Sequence, residues 1–188
     1  HSKIKISIFY TQLEITDKNF DNSKDINYLR LDSNIKRTPN DDNSNNGSFE
    51  NCSSLIEVFI SSSLNKIGNR SFRECSSLNK INFENNSSIK YIGDYSFYKC
   101  SSLNQITIPK SVISIGRFAF SSCASLTQIF FSESVKSIED YAFSSCSSLT
   151  QISIPSSVIS IGNYSFQRCT SLKQITFSTP SSLASIGK

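Results

Sequence analysis

The sequence predicts a solenoid built on a parallel β-sheet, a fold in which one short unit is stacked many times. Six cysteines recur every 23 residues, with one interval of 25, and the apolar residues around them recur with them. One unit buries too few side chains to offset the backbone entropy of folding, so only the stack is expected to be stable. The cysteines are Cys52, Cys75, Cys100, Cys123, Cys146 and Cys169.

Each unit carries a short strand signal a few residues after its cysteine. Ile152 and Ile154 flank Ser153, and this alternation is typical of a strand with one buried face. Parallel copies in register lie about 4.8 Å apart, which turns equivalent side chains of successive copies into columns. We therefore expect the isoleucines to form a continuous core and the residues between them to form an outward face.

A glycine follows the second apolar pair of most units and predicts a turn. Glycine suits a backbone turn with positive φ, so we expect strain or altered hydrogen bonding at Glu139, which takes this position in one copy. The stretch that follows, such as residues 163–168, has room for no more than one helical or 3₁₀ turn before the next strand. The glycines are Gly68, Gly93, Gly116, Gly162 and Gly187.

The repeat extends beyond the cysteines, and we predict about eight copies forming a single domain over residues 1–188. Phe49 precedes Cys52 by three residues, as Phe20 precedes Ser23. Residues 52–188 are regular, whereas 1–51 are degenerate N-terminal repeats. Their polar stretch 37–47 predicts a mobile surface loop. Because the chain begins and ends inside a repeat, we interpret it as a segment truncated from a longer protein.

The repeated residues resemble a known family. Cysteine, two small residues, leucine, an isoleucine pair, Val-x-x-Ile-Gly and an aromatic-Ala/Ser-Phe tail are similar to the BspA-like, or treponemal-type, leucine-rich repeats. The resemblance implies a leucine-rich-repeat solenoid of the α/β horseshoe class, mostly β, with its sheet on the concave face. It also implies an extracellular or cell-surface protein that attaches to host cells or matrix proteins. The high serine and asparagine content resembles members from parasitic protists.

The cysteines are predicted to be free thiols. Residues one repeat apart have parallel Cβ vectors at about 4.8 Å, which is longer than the roughly 3.8 Å that a disulfide prefers. The closely spaced cysteine pairs of structural zinc sites do not occur. We expect a column of buried thiols that pack as small apolar side chains, without a metal.

The composition argues against catalysis and nucleic-acid binding. The single histidine is His1, so no imidazole is available inside the repeats as a base. No nucleophile, base and orienting group recur together, so we predict neither an enzyme nor a cofactor. The net charge is only +4, and the lysines occupy different repeat positions instead of one basic stripe. No apolar run is long enough for membrane insertion.

The outward strand positions are the predicted partner-binding site. Their columns mix polar side chains with two phenylalanines, and exposed aromatics are common anchors in protein interfaces. The anchors are therefore Phe59 and Phe130, and the partner is predicted to be a host or matrix protein, with or without glycans. The complete set is Phe59, Lys80, Asn82, Gln105, Thr107, Gln128, Phe130, Gln151, Ser153 and Gln174.

One other function stays open from the sequence, and a third is disfavoured. The repeats could be an intracellular scaffold or regulatory module attached to an enzyme domain outside this segment. A signal peptide, membrane anchor or enzyme domain in flanking sequence would distinguish these functions. An ice-binding or mineral-binding ladder requires a flat threonine array, which the mixed columns do not provide. We also predict self-association through exposed solenoid ends.

Overall fold

The computed structural model describes residues 8–9, 24, 26–31 and 47–188 of the chain. These residues form a stack of parallel strands, and none of them lies in a helix, which confirms the predicted solenoid. In chain order the strands are β1 (Ile8–Phe9), β2 (Tyr28–Leu31), β3 (Glu57–Ile60), β4 (Lys66–Ile67), β5 (Lys80–Phe83), β6 (Tyr91–Ile92), β7 (Gln105–Thr107), β8 (Ser114–Ile115), β9 (Gln128–Phe130), β10 (Ser137–Ile138), β11 (Gln151–Ile154), β12 (Ser160–Ile161), β13 (Gln174–Phe177) and β14 (Ser185–Ile186).

The strands form two stacks along the solenoid. One contains β1, β2, β3 and β5 as a four-stranded sheet, continued by the pairs β7–β9 and β11–β13. Its eight strands agree with the eight predicted copies. The other is a six-stranded sheet of two-residue strands, β4, β6, β8, β10, β12 and β14. We call the outward surface of the first stack the long-strand face.

Successive turns pair in register, so that each residue lies beside its counterpart in the next turn. Val58 pairs with Ile81, and Ile152 pairs with Ile175. The predicted inward residues form one continuous buried core. It reaches the degenerate copy, where Ile26, Leu29 and Leu31 are buried. Of the loop predicted at 37–47, residues 37–46 lie outside the described residues, and Gly47 is buried.

Phenylalanine rings form a ladder through this core. The phenylalanine three residues before each cysteine stacks on its counterpart in the next turn, with centroids 5.2–5.7 Å apart and interplanar angles of 1–10°. Each of the four inner rings therefore contacts both adjacent turns and links their folding. The ladder consists of Phe49, Phe72, Phe97, Phe120, Phe143 and Phe166.

The predicted role of the repeat glycines is wrong, because none of them has positive φ. A Cβ built on Gly116 would lie 2.6 Å from Asp94 Oδ1 and 2.8 Å from Asp94 N in the preceding turn. Glycine is required at this position because the turns approach closely, and not because of its dihedral freedom. The strain expected at Glu139 is also not observed, since Glu139 is not among the residues with positive φ.

A polar ladder runs beside the repeat glycines. The residue after the glycine accepts a backbone hydrogen bond from the next turn: Asn69 Oδ1 from Asp94 N at 2.9 Å, and Asp94 Oδ1 from Arg117 N at 2.8 Å. Backbone atoms of the preceding turn approach the glycines as closely as this oxygen does; at Gly187 the nearest one lies 2.5 Å from the built Cβ. Arg117 has no short side-chain acceptor, and the turn that follows it carries Glu139 in place of glycine.

Left-handed backbone occurs instead at two positions of each return segment. One of them carries an aromatic residue in four successive turns, and these four rings stack with centroids 4.6–5.1 Å apart. Left-handed backbone costs about 1–2 kcal/mol for a residue with a Cβ, and ring stacking contributes about 0.5–1.5 kcal/mol. The stacking offsets part of the strain. The four residues are Tyr95, Phe118, Tyr141 and Tyr164.

The six cysteines are free and buried, as predicted. They also form hydrogen bonds that the sequence did not predict. Cys100 Sγ donates to the carbonyl of Phe72 in the preceding turn at 3.2 Å, and four other cysteines make the equivalent bond at 3.0–3.3 Å. The thiol column therefore holds neighbouring turns together as well as filling space.

We expect the native thiols to be unreactive. Burial raises the pKa of Cys123 to about 12 and that of Cys100 well above its usual range, which leaves little thiolate at pH 8. A disulfide-exchange reagent at pH 8 should titrate at most the C-terminal Cys169 in the folded protein. All six should react after denaturation without reductant. Two or fewer reactive thiols after denaturation would mean that the cysteines are bridged.

Candidate partner-binding face

The long-strand face carries two columns of outward side chains. The parallel register places the first residue of each strand in one column and the third in the other. All ten residues predicted to bind a partner lie in these columns, and their binding role stays a prediction. The first column is Tyr28, Glu57, Lys80, Gln105, Gln128, Gln151 and Gln174; the second is Arg30, Phe59, Asn82, Thr107, Phe130, Ser153 and Thr176.

The N-terminal half of this face is occupied by contacts among its own side chains. Glu57 Oε1 accepts hydrogen bonds from Lys80 Nζ at 3.0 Å and from Asn82 Nδ2 at 2.6 Å. The Arg30 guanidinium lies 4.6 Å from the centroid of the Phe59 ring. Phe59 is therefore half-buried beneath a cation and is not the exposed anchor that the sequence predicted.

The C-terminal half is open. We define the open half-face as the outward residues of β7, β9, β11 and β13. Within the described part of the chain its four glutamines make no side-chain hydrogen bond, and Phe130 is 50% exposed. None of its eight side chains is charged. They are Gln105, Thr107, Gln128, Phe130, Gln151, Ser153, Gln174 and Thr176.

A shallow depression of about 240 Å³ lies in the open half-face. Phe130 lines it together with three glutamines from neighbouring strands. Polar side chains, one aromatic ring and strand backbone are therefore available to one ligand. The lining residues are Gln128, Ile129, Phe130, Gln151, Ile152, Ser153, Gln174 and Thr176.

Sequence reasoning missed a second hollow of about 500 Å³ among the return segments. Its charged residues include Glu74 and Lys99, which pair with each other at 3.3 Å between Oε1 and Nζ. These residues lie 25 positions apart, so the repeat spacing alone could have indicated the contact. Because these charges already have partners, the open half-face is the better candidate site. The lining residues are Lys24, Asn51, Ser53, Glu74, Ser76, Lys99, Ser101 and Ser122.

The last turn leaves apolar side chains exposed. Ile175, Phe177 and Ile186 belong to β13 and β14 and are all exposed. Equivalent residues of earlier turns, such as Ile152, are covered by the turn that follows them. The predicted self-association through such ends remains a prediction.

The described residues contain neither a metal-ion cluster nor a membrane-spanning helix. Among residues 8–9, 24, 26–31 and 47–188, no cluster of three histidine, cysteine or acidic side chains is arranged to hold a metal ion. Over the same residues, no helix has the length and apolar character needed to cross a bilayer.

Comparison with known proteins places the repeat among leucine-rich repeats. A model of the BspA-type leucine-rich repeat region matches residues 2–90 and 90–188, with six copies. The sequence matches no curated protein.

Three solved structures are similar to this chain. The Treponema pallidum leucine-rich repeat protein has a TM-score of 0.68 and 28% identity over 80% of this chain and 69% of its own. The pneumococcal vaccine antigen PcpA has a TM-score of 0.62 and 32% identity over 66% of this chain and 31% of its own. A leucine-rich cell surface protein of Faecalibacterium prausnitzii has a TM-score of 0.55 and 25% identity over 82% of this chain and 48% of its own. The chain therefore spans less than half the length of the last two.

Proposed function

Because the chain belongs to the BspA-type leucine-rich repeat family, we propose that it is a non-catalytic protein-binding module that contacts its partner through the long-strand face. The main support for this proposal is the open half-face. Its eight side chains are uncharged, and its four glutamines make no side-chain hydrogen bond within the described residues. Polar groups without internal partners can bind another molecule without first breaking contacts of their own.

We further propose that the module acts at the cell surface in adhesion to host cells or matrix proteins. Support comes from two similar structures, one named as a vaccine antigen and the other as a cell surface protein. Stacked repeats form extended binding surfaces of this kind.

Replacing Phe130 by serine should weaken binding to an immobilised matrix protein by about 30-fold, which corresponds to roughly 2 kcal/mol for an aromatic anchor. Phe59→Ser should weaken it less, because Arg30 already covers that ring. Affinity should be measured by surface plasmon resonance, with thermal unfolding to show that both variants fold.

The matched control is Ile159→Ser, which replaces an exposed apolar residue outside the two columns. It should leave binding unchanged. If the Phe59/Phe130 double variant bound as well as the original protein, the long-strand face would not be the site. The 500 Å³ hollow would then be the next candidate binding site.

A further inference from the structure

We propose that the open half-face recognises an uncharged oligosaccharide carried by the partner. This inference rests on the proposed function and specifies which part of the partner is bound. The two halves of the long-strand face differ in charge, pairing and aromatic exposure, and each difference constrains the ligand.

The first constraint is charge. Arg30, Glu57 and Lys80 lie in the N-terminal half, whereas the open half-face has only amide, hydroxyl and phenyl groups. A sulfated, sialylated or strongly charged ligand would lose hydration there without gaining an ion pair. An uncharged polar ligand loses less and can hydrogen-bond to the amides. The surface therefore favours a neutral ligand.

The second constraint is the glutamine column. Gln105 pairs in register with Gln128, and Gln151 pairs with Gln174, so primary amides recur at the strand spacing of about 4.8 Å. Each amide offers two donors and an acceptor, and none is used within the described residues. Sugar hydroxyls both donate and accept, and they recur along an oligosaccharide. A chain of pyranose rings lying across the strands could engage successive amides.

The third constraint is the single aromatic ring. Phe130 is exposed between Thr107 on β7 and Ser153 on β11, beside the amide column. The negative face of a phenyl ring attracts C–H groups, which line one face of many pyranose rings. Protein interfaces instead concentrate several aromatic, methionine or arginine residues at their centre, and the open half-face has one.

The size of the depression agrees with such a ligand. Its volume of about 240 Å³ is below the roughly 300–1,000 Å³ of sites that enclose drug-sized molecules. It is shallow and bordered by hydroxyl and amide groups, so it suits one ring of an extended chain better than an enclosed apolar group. Gln151 lies on one of the two central strands and lines the depression.

The test uses the intact 188-residue protein and two kinds of probe. One is an array of neutral oligosaccharides ending in glucose, galactose, mannose or N-acetylhexosamine, with sialylated and sulfated members for comparison. The other is a set of matrix glycoproteins before and after enzymatic removal of their glycans. We expect binding to neutral oligosaccharides, loss of glycoprotein binding after glycan removal, and inhibition by the free oligosaccharide.

Substitutions in the open half-face test whether this surface binds the oligosaccharide. Gln151→Ala should weaken oligosaccharide binding about threefold to tenfold, the effect of one lost hydrogen bond, and Phe130→Ala should weaken it further. Phe130→Tyr should retain binding, because it keeps the ring. Ile159→Ala, at an exposed residue outside the two columns, is the control, and it should have no effect. Unfolding temperatures verify that every variant is folded.

The outcomes separate this inference from the proposed function. Undiminished binding to deglycosylated proteins, without inhibition by sugars, would overturn the oligosaccharide proposal and retain the protein-binding function. Binding only to sialylated or sulfated probes would overturn the claim of a neutral ligand. Failure to bind any glycoprotein or oligosaccharide would overturn both proposals.

Discussion

Replacing Phe143 by serine should lower the free energy of unfolding by about 3–5 kcal/mol, with a further cost of about 1–3 kcal/mol for the buried hydroxyl. Phe143 is fully buried, stacks on Phe120 at 5.4 Å and on Phe166 at 5.7 Å, and meets the Phe131 ring edge-on. The substitution removes contacts with both neighbouring turns at once. Urea unfolding followed by circular dichroism measures the loss.

Phe130→Ser is the matched control, because it makes the same chemical change at an exposed ring. It should change the unfolding free energy by less than about 1 kcal/mol. Since each turn contacts only its neighbours, hydrogen exchange in Phe143→Ser should accelerate most in residues 124–169 and less in residues 47–75. Equal losses for the two variants would contradict the assignment of Phe143 to the core ladder.

Replacing Arg73 by alanine should cost about 3–5 kcal/mol, because it leaves a buried carboxylate without its counterion. Glu50 is only 4% exposed. Its Oε1 accepts a hydrogen bond from Arg73, and its Oε2 accepts one from the backbone of Gly47 at 3.0 Å. Removing the guanidinium breaks the first of these contacts and leaves the charge in a poorly solvated position. Chemical denaturation at neutral pH measures the effect.

Two variants check this interpretation. Lys80→Ala breaks the more exposed pair with Glu57 and should cost no more than about 1 kcal/mol. Adding Glu50→Gln to Arg73→Ala should recover part of the lost stability, because the buried group is then uncharged. If Arg73→Ala cost no more than Lys80→Ala, the Glu50–Arg73 pair would contribute little to stability.

Periodicity was sufficient to predict the first stack of strands, the core and the outward columns. It did not predict the second sheet, whose strands are only two residues long. Ile152 and Ile154 alternate with Ser153, and a stack in register leaves only one arrangement that buries both isoleucines in every turn. The same register predicts that Gln151 and Gln174 lie side by side, and they do. These features depend on the order of apolar and polar residues, which the sequence contains directly.

The reason for each glycine could not be predicted. Glycine permits positive φ and also lacks a Cβ, and Gly116 is needed for the second property. Which of these two properties is needed depends on the distance between two turns, and the sequence does not contain that distance. The left-handed backbone of Phe118 could not be predicted either, because the stacking on Tyr95 and Tyr141 that offsets part of its strain depends on how the turns are placed.

The sequence predicts which residues form the candidate surface, but not which of their side chains contact each other. The strand position of Phe59 points outward and therefore predicts an exposed ring. Arg30, one turn earlier, covers its ring, and the pairing of β2 with β3 determines that contact. The first copy is degenerate in sequence, so its outward residues were not aligned with the later columns. The outward residues of the open half-face belong to regular repeats, so the sequence aligns them directly.

The hydrogen bond from each thiol to the preceding phenylalanine carbonyl has a consequence for how such proteins evolve. The bond joins one turn to its immediate neighbour and has the same partners in five successive junctions. Unequal recombination that adds or removes one whole unit would recreate the junction unchanged. Genes of this type can therefore vary the length of the molecule in single-unit steps, while point mutations diversify the outward residues independently.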